Sequence, residues 1–415
     1  MTTVSKEAAR EAAYSTPLAD FNVASAELFE ADAHWPYFER LRAEAPVHYT
    51  ANSEYGPYWS VSRYQDIISV DSNHEVFSSS SELGGISVFD AKDTAARASF
   101  IALDPPLHDA QRHVVMPMFA TESLKALEPL IRERAAKILD ELPRGETFDF
   151  VDKVSIELTS QMLATLFDFP FEERRLLPRC SDLILMPPGN EAEQAARFME
   201  LSSTLGRFTE LWNQRASTPK PAHDLISMLA HDPATKAGDD PYRYIGNIIL
   251  LIVAGSDTTR HSITGGLIAL NENPDEYAKL RANPRLLESM VPEVIRYQSP
   301  VAHMRRTTTC DTEIAGQKIG KGEKVLMWYV SGNRDETAIE RANDFIIDRA
   351  RPRQHVSFGF GMHRCVGQRL AEMQLRVVWE EMLARFPIIE VAGEPQRLKS
   401  SFVKGYEALP VRIPA

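Results

Sequence analysis

The sequence predicts a mostly α-helical protein with small β-sheets, on three observations. The chain has 415 residues, of which 44% are apolar and 25% are charged, an ordinary composition for a globular protein with a large core. Long segments repeat apolar residues with the period of an α-helix. Short runs of alternating apolar and polar residues, bounded by glycine or proline, are confined to the N-terminal part of the chain and to its last quarter.

The first strand signals lie close to the N-terminus. We expect residues 1–20 to form a flexible polar arm and Phe38 to Ala45 to end a helix. The runs PVHYT (46–50) and YWSVS (58–62) are separated by Gly56-Pro57, which is typical of a turn between paired strands. The sequence therefore predicts a small sheet before the helical part of the chain.

Amphipathic patterns with helical spacing dominate the middle of the chain. Pro187-Pro188-Gly189 interrupts them and predicts a loop between two helices. The predicted helices cover Ser123 to Glu141, Val154 to Leu166, Glu191 to Arg215, Tyr242 to Asn271 and Leu286 to Gln298.

Strand signals return in the last quarter of the chain. In Thr312 to Val330, apolar alternation is interrupted by Ala315-Gly316 and by Gly320 to Gly322, and a further signal covers Glu407 to Ile413. These runs are short compared with the helical segments, so the strands belong to minor sheets.

Charge and cysteine content exclude several classes of protein. The net charge is −12 with a pI near 5.5, which is unlike the basic surface of a nucleic-acid-binding protein. The three cysteines, Cys180, Cys310 and Cys365, are too few and odd in number for a disulfide framework. The longest apolar run, Ile248 to Ala254, is too short to span a bilayer. We expect a soluble, cytoplasmic protein without a membrane span.

Cys365 is the first candidate functional residue, in the segment FGFGMHRCVG (358–367). Glycines and nearby cations favour the thiolate form of a cysteine, which is the form that binds metals. The alternative is a buried cysteine that packs as a small apolar side chain. Zinc sites draw on several close cysteines or histidines, and the chain has no CxxC or HExxH motif. A single thiolate suits haem iron, whose other positions are filled by a macrocycle.

This segment resembles the haem-binding loop of the cytochrome P450 family. The matching positions are Phe358, Gly361, His363, Cys365 and Gly367. The resemblance implies the cytochrome P450 fold, with haem b bound by Cys365 as the axial thiolate. It also implies that His363 contacts a haem propionate and that the next helix begins near Gln368.

A second motif, AGSDTTR (254–260), interrupts an apolar helical pattern with four consecutive polar residues. One interpretation is a helix break in which Ser256 or Asp257 caps a new helix. The apolar pattern resumes in phase at Ile263, however, which favours one continuous helix. The resemblance makes this the central helix of the family, with Gly255 leaving space for dioxygen and with Asp257 and Thr258 as the catalytic acid–alcohol pair that relays protons.

A third motif is Glu293-Val294-Ile295-Arg296, whose charged residues share a helix face at i and i+3. The same ExxR spacing also begins at Glu7, Glu39, Glu141, Glu172 and Glu394, and a solvated surface pair is the ordinary interpretation of each. The resemblance singles out Glu293 and Arg296, which Arg349 in FIIDRARPR completes as a buried structural triad.

Further cations match haem-propionate contacts of the family. His108 and Arg112 in DPPLHDAQR lie at i and i+4 on one helix face. Arg306 in HMRRTTTCD matches a third contact, and Arg305 is the weaker candidate. Ordinary surface cations are the alternative in each case. All these motifs must serve one cofactor, which favours a single domain over residues 1–415.

The resemblance implies the reaction and its partners. The expected activity is monooxygenation: one atom of O2 enters a C–H bond and the other becomes water. The chain has no glycine-rich dinucleotide motif, so the expected electron donors are a two-iron, two-sulfur ferredoxin and an NAD(P)H-dependent ferredoxin reductase. Two alternatives are a haem-based sensor and a peroxide-driven hydroxylase of the same fold.

Several segments, such as GGLIALNENPDEY and HMRRT, look like the bacterial subfamily that hydroxylates alkanes or fatty acyl chains at the terminal carbon. Ser256 departs from the asparagine expected there. A terpene or a steroid is the alternative small apolar substrate. Apolar residues near the motifs are candidates for the pocket lining, with plain core packing as the other interpretation. They are Ile86, Val88, Phe89, Leu185, Met186, Leu251, Val301, Met304, Phe402 and Val403.

Overall fold

The computed structural model describes residues 5–90, 98–185, 190–236 and 243–415. The chain forms two compact units, each built from separate stretches of sequence. The first unit comprises Met1–Lys92, His261–Cys365 and Ile389–Val411, and the second comprises Asp93–Arg260, Val366–Ile388 and Arg412–Ala415. The single domain expected from the sequence stays a prediction. Met186 and the predicted loop at Pro187-Pro188-Gly189 lie outside the described residues.

Helices make up most of the described chain, which confirms the predicted fold class. A π-helix at Val151–Ile156 precedes α7. The α-helices are α1 (Lys6–Ser15), α2 (Ala26–Glu30), α3 (Trp35–Glu44), α4 (Tyr64–Ser72), α5 (Leu107–Val115), α6 (Thr121–Asp140), α7 (Glu157–Phe167), α8 (Leu176–Leu185), α9 (Glu191–Ala216), α10 (Leu225–His231), α11 (Arg243–Glu272), α12 (Pro274–Ala282), α13 (Leu287–Gln298), α14 (Tyr329–Gly332) and α15 (Gln368–Arg385).

The strands are short and belong to minor sheets. They are β1 (Val47–Thr50), β2 (Tyr58–Val61), β3 (Phe77–Ser78), β4 (Thr147–Asp149), β5 (Met304–Thr308), β6 (Thr312–Ile314), β7 (Gln317–Ile319), β8 (Lys324–Met327), β9 (Glu390–Val391), β10 (Gln396–Arg397), β11 (Tyr406–Ala408) and β12 (Pro410–Arg412).

A five-stranded sheet in the order β1-β2-β8-β5-β3 organises the first unit. β1 and β2 pair antiparallel with Val47 opposite Val61, as the sequence predicts. β2 pairs parallel with β8, and β5 pairs antiparallel with β8 so that Arg306 faces Val325. The predicted strand region up to Val330 ends earlier than expected, because the chain turns into α14 at Tyr329 and buries its side chain.

Each face of this sheet carries its own apolar core. Val325 and Met327 pack with Ile67 and Val70 of α4 on one face. Leu326 packs with Phe38 of α3 on the other face. The alternation follows the two-residue period of a strand, which sends successive side chains to opposite faces. The same alternation therefore directs neighbouring residues of β5 to different surroundings.

The N-terminal segment differs from the expected flexible arm. Residues from Lys6 form α1, with the Ser5 side chain accepting a hydrogen bond from the Ala8 backbone N–H. Ala9 and Ala13 lie four residues apart on one helix face and are buried. The Arg10 guanidinium also pairs with Glu39 of α3 at 2.8 Å. Small apolar residues with helical spacing thus dock this segment although most of its residues are polar.

In the second unit, α6 packs against α15. The Arg132 guanidinium of α6 reaches Glu380 at 2.5 Å and Glu381 at 2.7 Å on α15. The central helix α11 runs unbroken from Arg243 to Glu272, and its residues up to Arg260 belong to this unit.

Candidate active site

The loop before Cys365 is fixed by its own backbone and by close packing. The Cys365 backbone N–H donates to the Phe358 carbonyl at 2.9 Å, and a short 3-10 turn covers Gly361–His363. Gly361 has φ of +64°, and a Cβ there would lie 2.5 Å from the Asp71 carbonyl oxygen. Cys365 itself is exposed. The loop therefore presents the thiol from a rigid backbone, and the chain enters α15 at Gln368 as predicted.

His363 lies beside a serine that sequence analysis did not identify. Its Nε2 is 2.5 Å from the Ser79 hydroxyl. Ser79 is buried directly after strand β3. This contact orients the imidazole proposed to face a propionate.

Arg306 points to the same sheet face as α4. Its Nη2 donates to the Asp71 carboxylate at 2.6 Å, and its Nη1 donates to the Arg305 carbonyl at 2.8 Å. Arg305 points the other way and pairs with Asp90 at 2.6 Å. The strand alternation thus sends the two arginines to opposite faces of the sheet. Arg306, not Arg305, contacts Asp71, which also accepts a hydrogen bond from the Phe360 backbone N–H.

Glu293 is the centre of a buried network. Its carboxylate accepts hydrogen bonds from Arg296 at 2.7 and 2.8 Å and from Arg349 at 3.0 and 3.2 Å. It also accepts from the Ile346 backbone N–H at 2.8 Å. Because Glu293 and Arg296 are fully buried, removing one partner would leave an uncompensated charge.

The polar segment of α11 remains helical. The Thr258 hydroxyl donates to the Ala254 carbonyl at 2.8 Å, one turn earlier in the same helix. The helix-break interpretation of AGSDTTR does not apply, since α11 spans Arg243–Glu272 without interruption. Leu251, Ala254 and Thr258 follow one another at i, i+3 and i+7, so they share a helix face.

Asp257 is fully buried among polar partners from α8 and α11. Its carboxylate accepts a hydrogen bond from the Ser181 hydroxyl at 2.9 Å and lies 2.9 Å from the Arg260 guanidinium. The same guanidinium reaches the Asp182 carboxylate at 2.6 Å. Burial raises the pKa of Asp257 to about 6, although the Arg260 charge opposes this shift. The site thus holds an acid that titrates near neutral pH.

Gly255 corrects one expectation from the sequence. The direction in which its Cβ would point is filled by Leu163 of α7, whose Cδ2 would lie only 2.8 Å away. The glycine therefore permits close packing of α7 against α11. The small residue with an exposed side chain in this turn is Ala254, one helical turn before Thr258.

His108 and Arg112 lie on α5 of the second unit. His108 is buried, and its Nδ1 is 2.8 Å from the Asp109 carboxylate. Burial lowers the pKa of His108, so the neutral imidazole is favoured. Arg112 is half-buried. Their roles toward a propionate stay predictions.

The apolar pocket candidates occupy different surroundings. Val88 belongs to the buried core beside Trp328, which favours the plain packing interpretation for this residue. Phe89 is 47% exposed and packs edge-on against Tyr55. The remaining candidates within the described residues are partly or fully buried. Ile86 lies outside the helices and strands, Leu185 ends α8, Leu251 lies on α11 and Met304 lies on β5. Val301 forms a β-bridge with Val403, and the Phe402 ring contacts His303.

The donor set around Cys365 fits a haem. Among the residues that the structure describes, no group of three or more histidine, cysteine or acidic side chains could hold a metal ion. A single exposed thiol on a rigid loop, with His363 and Arg306 on neighbouring elements, suits a metal that brings its other ligands with it. Cys365 would be the axial ligand, and the cationic side chains would counter the propionates.

Sequence analysis missed the partners of the site residues. Ser181, Asp182 and Arg260 surround Asp257, whereas Asp71 and Tyr329 surround the cysteine loop. The sequence does contain an indication that Asp71 is buried, because this residue lies on the same face of α4 as the apolar Ile67 and Val70. An acidic residue in that position needs a buried partner.

The fold and the thiolate site define a haem-thiolate enzyme. The family model for cytochrome P450 matches residues 144–405, more than half of the chain, and the chain belongs to the cytochrome P450 family. It is therefore a P450 monooxygenase that uses O2 and redox partners. Among the described parts of the chain, no helix is both long and apolar enough to cross a membrane.

The chain is similar to several known proteins along nearly its whole length. Cytochrome P450-153 from Novosphingobium aromaticivorans is 43% identical, with a TM-score of 0.89 over 94% of this chain and 99% of that chain. Linalool 8-monooxygenase of Pseudomonas putida is 37% identical over 90% of this chain and 94% of its own length. The methyl-branched lipid omega-hydroxylase of Mycobacterium tuberculosis is 30% identical over 95% of each chain.

Proposed function

We propose that the protein hydroxylates the terminal carbon of a medium-chain alkane or fatty acyl chain. The observation that carries the proposal is one face of α11, where the buried Leu251, the exposed Ala254 and the half-buried Thr258 share one side of the helix next to the buried acid Asp257. This face offers an apolar side chain, then a small one, then a hydroxyl. That order suits a substrate whose apolar chain end must approach Thr258 and the acid Asp257.

The cofactor would be haem b, held by the Cys365 thiolate. When bound, the haem supplies the activation of O2 that inserts one oxygen atom into an unactivated C–H bond. His363 and Arg306 would hold propionate oxygens, and the same role for His108 and Arg112 stays a prediction from the family resemblance. Cys365→His should remove the red-shifted Soret band of the reduced CO complex, which is diagnostic of thiolate ligation.

Asp257 and Thr258 control the supply of protons. With a pKa of about 6, Asp257 is protonated in roughly a tenth of the protein molecules at neutral pH. The Ser181 hydroxyl and the Arg260 guanidinium fix the carboxylate, and Asp182 shares that guanidinium at a more exposed position. Asp257 would thus exchange its proton near neutral pH, and the hydroxyl of its neighbour Thr258, which donates to the Ala254 carbonyl, would take part in passing it on.

Electrons come from a two-iron, two-sulfur ferredoxin that an NAD(P)H-dependent reductase reduces. Arg364, next to Cys365, is exposed, as is His113 on α5. Exposed cations suit an acidic electron carrier although the chain has a net charge of −12.

A terpene is the second candidate substrate, and one observation favours it: the 37% identity to linalool 8-monooxygenase. The methyl-branched lipid omega-hydroxylase supports the terminal carbon of a lipid chain instead. A haem-based sensor has no use for a buried acid beside Thr258, and a peroxide-driven hydroxylase has no need of one.

Substrate-induced change of the haem spin state distinguishes these candidates. Titration with medium-chain n-alkanes and fatty acids should give saturable low-spin to high-spin shifts at lower concentrations than titration with linalool, other terpenes or steroids. A tighter and fuller shift with a terpene or steroid would replace the proposed substrate class while leaving the monooxygenase assignment intact.

A further inference from the structure

One buried carboxylate joins three elements of the first unit around the cysteine loop. Asp71 is 2% exposed and lies in the last turn of α4. One of its oxygens accepts a hydrogen bond from Arg306 at 2.6 Å. The other accepts from the Tyr329 hydroxyl at 2.9 Å and from the Phe360 backbone N–H at 2.7 Å.

The backbone of the same helix turn also packs against the loop. A Cβ on Gly361 would lie 2.5 Å from the Asp71 carbonyl oxygen and 3.0 Å from the Ser72 Cα. A Cβ on Gly359 would lie 3.1 Å from the Asp71 carboxylate. The end of α4 thus contacts the loop on both sides of Phe360, five residues before Cys365.

We propose that Asp71 is a positioning residue for the haem site. It fixes the position of the Cys365 loop and the orientation of the Arg306 side chain together. The inference rests on the proposed function, because it assumes that Cys365 binds the haem. In this role Asp71 acts through Arg306 and the loop backbone at Phe360.

The chemistry of the contact gives Asp71 two separable effects. Its hydrogen bond to the Phe360 N–H fixes the loop backbone, which a neutral side chain can imitate only in part. Its charge compensates Arg306, whose side chain is 3% exposed. Without that charge, the cation acts uncompensated on the haem, and a nearby positive charge stabilises the reduced form relative to the oxidised form.

The test replaces Asp71 by asparagine, which keeps the shape but removes the charge. In Asp71→Asn we expect haem transfer to excess apomyoglobin to be several-fold faster than in the parent. A larger share of the reduced CO complex should show the shorter-wavelength band of protonated or lost thiolate. The haem reduction potential should rise, which a loss of packing alone would not produce.

Asp66→Asn is the matched control. Asp66 is a half-buried acid on α4, five residues earlier and on a different helix face, so its removal changes the net charge equally. We expect the parent value for haem transfer, CO band and potential in this control. Equal shifts in both variants would overturn the inference, because they would reflect net charge alone.

A second variant covers the case in which Asp71→Asn does not fold. Tyr329→Phe removes one donor to Asp71 and conserves the ring, and it should produce the same shorter-wavelength band in a smaller share of molecules. A folded Tyr329→Phe or Asp71→Asn that matches the parent in all three measurements would overturn the inference. If the parent itself lacks the thiolate band, the proposed function fails instead, so the two failures are distinguishable.

Discussion

Asp257 and Thr258 are adjacent in the sequence but differ in their surroundings. Asp257 is fully buried against Ser181 and Arg260, whereas the Thr258 hydroxyl bonds within its own helix. The i to i−4 hydrogen bond satisfies the threonine without breaking the helix. The motif contains the pair and also Arg260, which lies three residues after Asp257. Ser181 and Asp182 come from α8, 76 residues earlier in the case of Ser181, and no local pattern indicates them.

Loss of the Thr258 hydroxyl should separate substrate binding from productive oxidation. In Thr258→Ala we expect the parent's haem content and spin-state titration, but a several-fold larger share of the reducing equivalents should end in hydrogen peroxide. Thr258→Ser keeps a hydroxyl and is the control that should restore most of the coupling. NADH consumption, peroxide and product are measured in the same reaction, and an unchanged peroxide share in Thr258→Ala would refute the role.

The raised pKa of Asp257 makes the stability of the protein depend on pH. Because the folded state binds this proton more tightly than the unfolded chain, the associated stability is fully present below about pH 4 and is lost as the pH rises through about 6. The shift corresponds to on the order of 3 kcal/mol. Asp257→Asn cannot ionise, so its free energy of unfolding relative to the parent should increase from about pH 4 to about pH 6 and stay constant above about pH 7.

Chemical denaturation of both proteins across this pH range measures the difference. Ser181→Ala removes a donor that favours the ionised form, so it should move the pH window upward. A difference between parent and Asp257→Asn that does not vary with pH would contradict the assignment.

At the scale of elements, α4 and strand β5 give the physical reason for a distinction that the sequence made only by resemblance. Arg305 and Arg306 are chemically identical neighbours, and the strand alternation sends them to Asp90 and Asp71 respectively. The same holds for the repeated ExxR spacing. Glu293 pairs with its own Arg296 in the core, whereas Arg175 turns to Asp152 and Glu157 at the surface.

The loop glycine Gly361 is required by contact as well as by conformation. Gly361 and Gly316 both have positive φ, at +64° and +84°, but only Gly361 would bring a Cβ against backbone, while Gly316 has nothing within 4 Å. We expect Gly316→Ala to lose about 1 kcal/mol of stability and to keep its haem. Gly361→Ala should in addition lose most of the thiolate band of the reduced CO complex.

Haem content and CO spectra of the purified variants decide this comparison. If Gly316→Ala disturbs the thiolate band as much as Gly361→Ala does, the backbone strain alone accounts for the effect. The close approach of α4 to the loop would then have no role.

At the scale of the whole molecule, the proposed ferredoxin would meet both the acidic net charge and the local cations. Interactions between exposed charges are screened over about 8–10 Å at ordinary ionic strength. An exposed cation close to the bound ferredoxin, such as Arg364, would therefore outweigh the distant acids that make up the net charge of −12. We expect the second-order rate of reduction by ferredoxin to fall as salt increases.

Arg364→Gln should weaken this dependence, because Arg364 is exposed next to Cys365. Arg281→Gln on α12 is a control that removes a surface cation elsewhere in the chain. Stopped-flow reduction at several salt concentrations is the measurement. A rate that does not respond to salt, or equal slopes for the two variants, would argue against electrostatic docking.

The sequence predicted the fold class, the main helices and the residues of the motifs, because these depend on local periodicity and on spacing. It did not predict the partners that distant segments contribute. Asp71 and Phe360 are 289 residues apart, and Gly255 was expected to face dioxygen although Leu163 fills that direction. The N-terminal segment was expected to be an arm, since two buried alanines give only a weak apolar signal. Tertiary packing decides each of these cases.

Terminal selectivity is the central claim of the proposed function, and it must come from shape. A methyl C–H bond is stronger than a methylene one, so an unrestrained oxidant attacks the interior of a chain. About 1.4 kcal/mol of steric discrimination changes a product ratio tenfold. Leu251 lies on the α11 face that also carries Thr258 and is 7% exposed. Leu251→Ala should therefore move oxidation inward, whereas Ile252→Ala, a buried neighbour on another face, should not.

The most direct test is chromatography of the products formed from a medium-chain alkane and a fatty acid with ferredoxin, reductase and NADH. The proposed function predicts mainly the terminal alcohol from the parent enzyme and from Ile252→Ala, and a larger subterminal share from Leu251→Ala. Mostly subterminal alcohols from the parent, or no turnover of linear chains beside ready turnover of a terpene or steroid, would contradict it.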